Sequence, residues 1–73
     1  MTKLPRLSGR DCAEALRKKG FLLVRQHGSH MILRRDNPFC QVVVPANKEL
    51  DRGTLRAILR QTGMGADEFL ALL

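Results

Sequence analysis

Aromatic side chains are almost missing from this chain: among 73 residues there is no tryptophan, no tyrosine and only three phenylalanines. Proteins that hold single-stranded nucleic acid stack its bases on aromatic faces, so that mode of binding has no platform here. Recognition of a nucleic acid would fall to shape and phosphate contact instead. Cysteine is nearly as scarce. Cys12 and Cys40 are too few for the dense disulfide framework of a small secreted domain, and no C-x-x-C spacing offers a metal site. Both stand among apolar neighbours, which reads as two buried thiols in a reducing compartment. No apolar run approaches the roughly 20 residues of a membrane span, and the opening MTKLPRLSGRD has no signal-peptide core. The expectation is a soluble, cytoplasmic protein with no membrane association. Glycine-rich phosphate loops and Ser-His-Asp arrangements are also absent, so no nucleotide or small-molecule cofactor is expected.

Acidic residues are few as well. Seven Asp and Glu stand against thirteen Lys and Arg, a formal charge of +6 that surrounds a small molecule with a positive field. The basic residues cluster at Arg17, Lys18 and Lys19, at Arg34 and Arg35, and at Arg52, Arg56 and Arg60, which points to a polyanion such as nucleic acid. At this length residues 1–73 read as one domain, and a domain of that size buries only about 60% of the surface its unfolded chain exposes. A deep enclosed active site is not expected. Chemistry would take place on an open face or in a shallow groove, on a polymer or a protein.

Hydrophobic patterning gives the order α-β-β-β-α-α, with no repeat, linker or low-complexity segment. Ser8 reads as an N-cap, followed three positions later by Asp11, and opens a helix over about 9–19 with Cys12, Ala13 and Leu16 inward and Gly20 as its stop. FLLVRQ reads as a strand at 21–26, and a second strand at about 29–35 follows a turn at Gly28. DNPF is turn chemistry, and CQVVVP is a third strand ending at Pro45. Asp51 caps a helix whose Leu55, Ile58 and Leu59 form an apolar stripe and which Gly63 ends; ADEFLALL is a last short helix. Strands segregated from helices predict an α+β fold, a three-stranded antiparallel sheet with helices packed on one face. The other face is left to water or a ligand.

On an extended 29–35 segment, His30, Ile32 and Arg34 share one side and Met31 and Leu33 the other, which is the side expected to be buried. That puts His30 and Arg34 together on the open face, where an imidazole suited to proton transfer at neutral pH and a guanidinium can meet one phosphate. His27 is set aside as incidental: residues three apart on a strand face opposite ways, so H-x-x-H is not read as a metal site, and no metal is expected. Arg52, Arg56 and Arg60 recur every four residues and make a basic ridge beside the second helix's apolar stripe.

The stretches LSGRDCAEALRKKGF, VRQHGSHMILRR, VVVP and KELDRGTLRAILRQTGM occur in the order and at the spacings of a known family; Gly28-Ser29-His30 and residues 53–61 are each short, but together they are specific. The chain resembles the HicA (YcfA-like) toxins of toxin–antitoxin pairs over nearly its whole length. That resemblance implies a fold similar to double-stranded-RNA-binding domains. It also implies a metal-independent endoribonuclease that cuts messenger RNA with one essential histidine, here His30, and a HicB-type antitoxin that binds the toxin and blocks the site. Many members have a second histidine shortly after the proline that ends the third strand; this chain has PANKEL there, with Asn47. RNA supplies its own nucleophile, the 2′-hydroxyl, so a minimal site is enough. The expected roles are His30 as general base or acid, Arg34 with Lys48 or Arg56 on the phosphate, and Gly28 and Ser29 shaping the turn that presents the imidazole. The competing reading is a non-catalytic module that binds duplex RNA by shape; binding of DNA ranks below both, since no helix-turn-helix pattern is present.

Overall fold

The computed structural model describes residues 3–73. Its elements are α1 (Gly9–Arg17), β1 (Leu22–His27), β2 (His30–Asp36), β3 (Phe39–Pro45), α2 (Arg52–Thr62) and α3 (Ala66–Leu70), in the expected order. Ser8 caps α1, its hydroxyl accepting from the Asp11 amide at 3.0 Å, and Asp51 caps α2 by accepting from the Thr54 amide at 2.7 Å. α1 stops two residues earlier than the pattern suggests. The amides of Lys18, Lys19 and Gly20 bond three residues back, to Ala15, Leu16 and Arg17, and this tighter winding draws the chain into the turn before Phe21.

The sheet order is β1-β2-β3, antiparallel throughout. Strand alternation divides it cleanly on β2: Met31 and Leu33 are buried, and His30 and Arg34 are exposed. β3 repeats the division with Val42 and Val44 inward. These four residues meet Cys12, Ala15 and Leu16 of α1, Leu55, Ile58 and Leu59 of α2, and Phe21 and Phe69, so all the helices lie on one side. Each fully buried Leu or Phe contributes roughly 1.5–3 kcal/mol relative to exposure. The sheet alone cannot supply a second buried layer, so its far side stays open. α3 and the C-terminal residues close the helix layer: Lys19 pairs with Glu68 at 2.7 Å and Lys18 donates to the Leu72 carbonyl, also at 2.7 Å.

The two cysteines differ. Cys12 is buried in the core, and burial pushes its thiol pKa up to about 11. Cys40 is half-buried rather than buried, because its strand position faces the end of α2, where its Sγ lies 3.3 Å from the Gln61 carbonyl oxygen and donates to it. The cationic pair at 34 and 35 is split by alternation. Arg35 is on the helix side, its guanidinium 4.7 Å from the Phe21 ring centroid and its Nε donating to the Pro38 carbonyl, so it serves the fold.

α1 starts against the end of β3. The Gly9 amide donates to the Asn47 carbonyl at 2.9 Å, and a Cβ on Gly9 would sit 1.8 Å from the Pro45 carbonyl oxygen. Only glycine allows that approach. Gly9→Ala is therefore expected to lower stability by about 1–3 kcal/mol, the usual range for overpacking, as read by urea unfolding. Cys12 is expected to resist iodoacetamide in the native protein and react only on unfolding, with Cys40 labelled first; mass spectrometry of the labelled protein checks the order. The Asp51 carboxyl is held below its usual range by the Thr54 amide and hydroxyl. Its contribution to stability is present above the ordinary carboxylate pKa and is lost as pH falls through the lowered value.

Candidate functional site

β1 and β2 are joined by two residues, Gly28 and Ser29. Gly28 has φ +56°, and no other residue type among the described residues adopts positive φ, which fits the primed hairpin turn with glycine at its first central position. Such a loop leaves its flanking residues directly opposed, and the register pairs His27 with His30. Paired residues project from the same face, with Cβ atoms about 4.5–5.5 Å apart. Here the structure corrects the separation expected from alternation. Alternation counts along one strand, whereas the chain reverses between these two residues, so His27 shares the open face with His30.

Both imidazoles are exposed, and neither forms a hydrogen bond or ion pair with any of the described residues. The open face continues from them in rows. Arg25 pairs with Ile32 and Ile32 with Val43; beyond these lie Leu22, Arg34 and Gln41. A bulge between Leu23 and Arg25 gives β1 one extra residue, and past it Leu22 shares the open side with Arg34. His30 itself is opposite Pro45, and the next amide, that of Ala46, donates to the Ser29 carbonyl. The turn, the end of β3 and the start of α1 are thus fastened to one another at the histidine end of the sheet.

The expected phosphate contacts are not all gathered there. Arg34 shares His30's face but lies four residues away, about 13 Å along the strand, and its Nε pairs with Asp36 at 2.9 Å. Arg56 is on α2, which covers the opposite face of the sheet, so it is not on the face of His30. Lys48 is exposed three residues beyond Pro45, the cross-strand partner of His30, and Asn47 is exposed two residues beyond it. Arg25, not singled out from the sequence, is the arginine that the register brings nearest the pair. It sits diagonal to His30 and two residues from His27, a separation of about 7–8 Å between neighbours of that kind.

The site is a surface, not a pocket. A groove of about 550 Å³ lies between α1 and β1, lined by Arg10, Arg17, Leu23, Met31 and Leu33 among others, and neither histidine lines it. Among the described residues no three His, Cys, Asp or Glu side chains converge as a metal-ligand set, and no helix is long and apolar enough to cross a membrane.

Together these features define an α+β domain with helices on one side of a three-stranded sheet and two imidazoles with arginines on the other. Residues 9–64 match the family model of the HicA toxin of bacterial toxin-antitoxin systems, and the chain belongs to that family. It is a toxin of a toxin–antitoxin pair. The match runs from the first residue of α1 to the residue after the α2 cap and leaves α3 outside it. A comparison with curated proteins finds no match.

Because the loop has only two residues, Gly28→Ala forces a side chain into left-handed backbone, which costs about 1–2 kcal/mol. Urea unfolding is expected to show that loss, and the amide resonances of His27 and His30 are expected to shift together while those of α2 stay in place.

Proposed function

We propose that this toxin is a metal-independent endoribonuclease that cuts messenger RNA, with His30 moving the protons of the reaction. The observation that carries the reading is the position of His30: an exposed imidazole on an open, basic sheet face, without a protein partner among the described residues. It is supported by membership of the HicA family. RNA brings its own nucleophile, so the protein has two tasks, transferring protons and steadying the charge that builds on the phosphate. An imidazole performs the first. Arg25, and Lys48 on the adjoining loop, are the cations best placed for the second; Arg34, held by Asp36, is farther from the reacting phosphate, and Arg56 contributes at most to docking the RNA from the helix side. The backbone of Gly28 and Ser29 keeps the imidazole at the tip of the hairpin. The products are a 2′,3′-cyclic phosphate and a 5′-hydroxyl.

The partner follows from the same face. Val43 and Leu22 are exposed there at 46% and 63%, in line with Arg25 and Arg34, and an antitoxin of HicB type with a complementary acidic and apolar surface would cover them together with the histidines.

Purified protein is expected to cleave RNA in the presence of a chelator, and His30→Ala is expected to lower that rate by about 10²–10⁴-fold, the usual contribution of a positioned acid or base. Expression of the variant should no longer arrest growth. Cleavage by His30→Ala at the wild-type rate contradicts the assignment. Retardation of RNA on a gel with no cleavage by the wild type supports the non-catalytic duplex-binding module instead.

A further inference from the structure

We propose that His27 is a second catalytic residue, the general acid that complements His30 as general base. The proposal rests on the nuclease reading above and deepens it. Its basis is the register: His27 and His30 are direct cross-strand partners on the open face, both exposed and neither bonded to a described residue. Displacement at phosphorus is in line, with the attacking 2′-oxygen and the departing 5′-oxygen on opposite sides of the phosphorus. One imidazole can serve only one of them at a time. Two rings rising from Cβ atoms about 4.5–5.5 Å apart can straddle one phosphate and bring a nitrogen within hydrogen-bond reach of each oxygen.

In the step, neutral His30 takes the proton of the 2′-hydroxyl as the 2′-oxygen bonds to phosphorus. The bond from phosphorus to the 5′-oxygen breaks, and protonated His27 gives its proton to that leaving oxygen. The cyclic phosphate and the 5′-hydroxyl depart with His30 protonated and His27 neutral. Exchange of one proton with water at each ring restores the starting forms, and no other reactant is needed.

The charged groups around the pair are Arg25 from β1, Arg34 with its partner Asp36 farther along β2, and Lys48 with Glu49 on the loop after β3, Glu49 being paired with Arg6. β3 itself presents Val43 and Pro45 to this face. Arg10 stands in the first turn of α1, which rests on the Pro45 and Ala46 backbone. Asn47, on the loop after β3, cannot transfer protons, and the chain's two histidines are His27 and His30, which leaves His27 as the second imidazole of this surface.

The test compares wild type, His27→Gln and His30→Gln on two substrates in chelator-containing buffer across acid to alkaline pH. One substrate is an oligoribonucleotide; the other is a ribonucleoside 3′-phosphate aryl ester, whose leaving group departs without a proton. Wild type is expected to give a bell-shaped profile on RNA. His27→Gln should lose about 10²-fold on RNA together with the alkaline limb of the bell, yet keep the wild-type rate on the aryl ester. His30→Gln should be slow on both. If His27→Gln cleaves RNA at the wild-type rate with both limbs intact, or if its loss is a raised KM that is equal on both substrates, the proposal is overturned and His27 is no acid. A wild-type protein that leaves RNA intact overturns the nuclease reading itself.

Discussion

A loop of two residues leaves the chain no slack, and much of this molecule follows from that constraint at Gly28 and Ser29. With φ +56° at Gly28, the strands it joins must meet as immediate antiparallel partners, beginning with His27 and His30. Once that first pair is set, alternation decides every later position up to the bulge: Gln26 and Met31 toward the helices, Arg25 and Ile32 away from them. A slip of one residue would drive Met31 and Leu33 into water and bring His30 and Arg34 into the core. The buried apolar layer holds the register from one side while the turn holds it from the end.

The same division separates the packed side chains from those of the proposed chemistry. Everything that packs lies under the sheet, including Arg35, whose charge rests on the Phe21 ring. On the other side, beside the Arg34–Asp36 pair, stand two imidazoles, Arg25 and exposed apolar side chains. The helix side still governs the position of the site. α1 begins on the backbone of Pro45, Pro45 pairs with His30, and Ala46 bonds to Ser29, so the contact that only Gly9 permits fastens the hairpin tip to the helix layer. A flat face on a domain of this size is also what a polymer substrate and a covering partner both require.

Much of this was legible in the residues. Ser8 and Asp51 marked both long helices, and the run from Met31 to Arg34 showed its buried and open sides through alternation alone. The face of His27 differs from the expectation for an identifiable reason: a period of two does not carry through Gly-Ser, because two such residues between apolar-patterned segments are themselves a hairpin signal and pair their neighbours. Arg25 was missed with it, since its side of the sheet depends on the same reversal. The split of Arg34 from Arg35 followed from alternation, but the engagement of Arg34 by Asp36 is a side-chain contact that no spacing rule supplies. The position of Arg56 relative to His30 depends on how α2 lies across the sheet, which is a matter of tertiary packing and not of local pattern.

The central claim is that RNA meets this toxin at the histidine end of the open face, on the hairpin that pairs His27 with His30. Titration of the isotope-labelled protein with a 2′-O-methyl oligoribonucleotide, which binds but lacks the nucleophile, reads this directly by NMR. The ring signals of His27 and His30 and the amides of Arg25 and Lys48 should shift together and saturably, with Arg52, Arg56 and Arg60 little changed. Shifts centred on the α2 ridge, with both imidazoles unmoved, would contradict it.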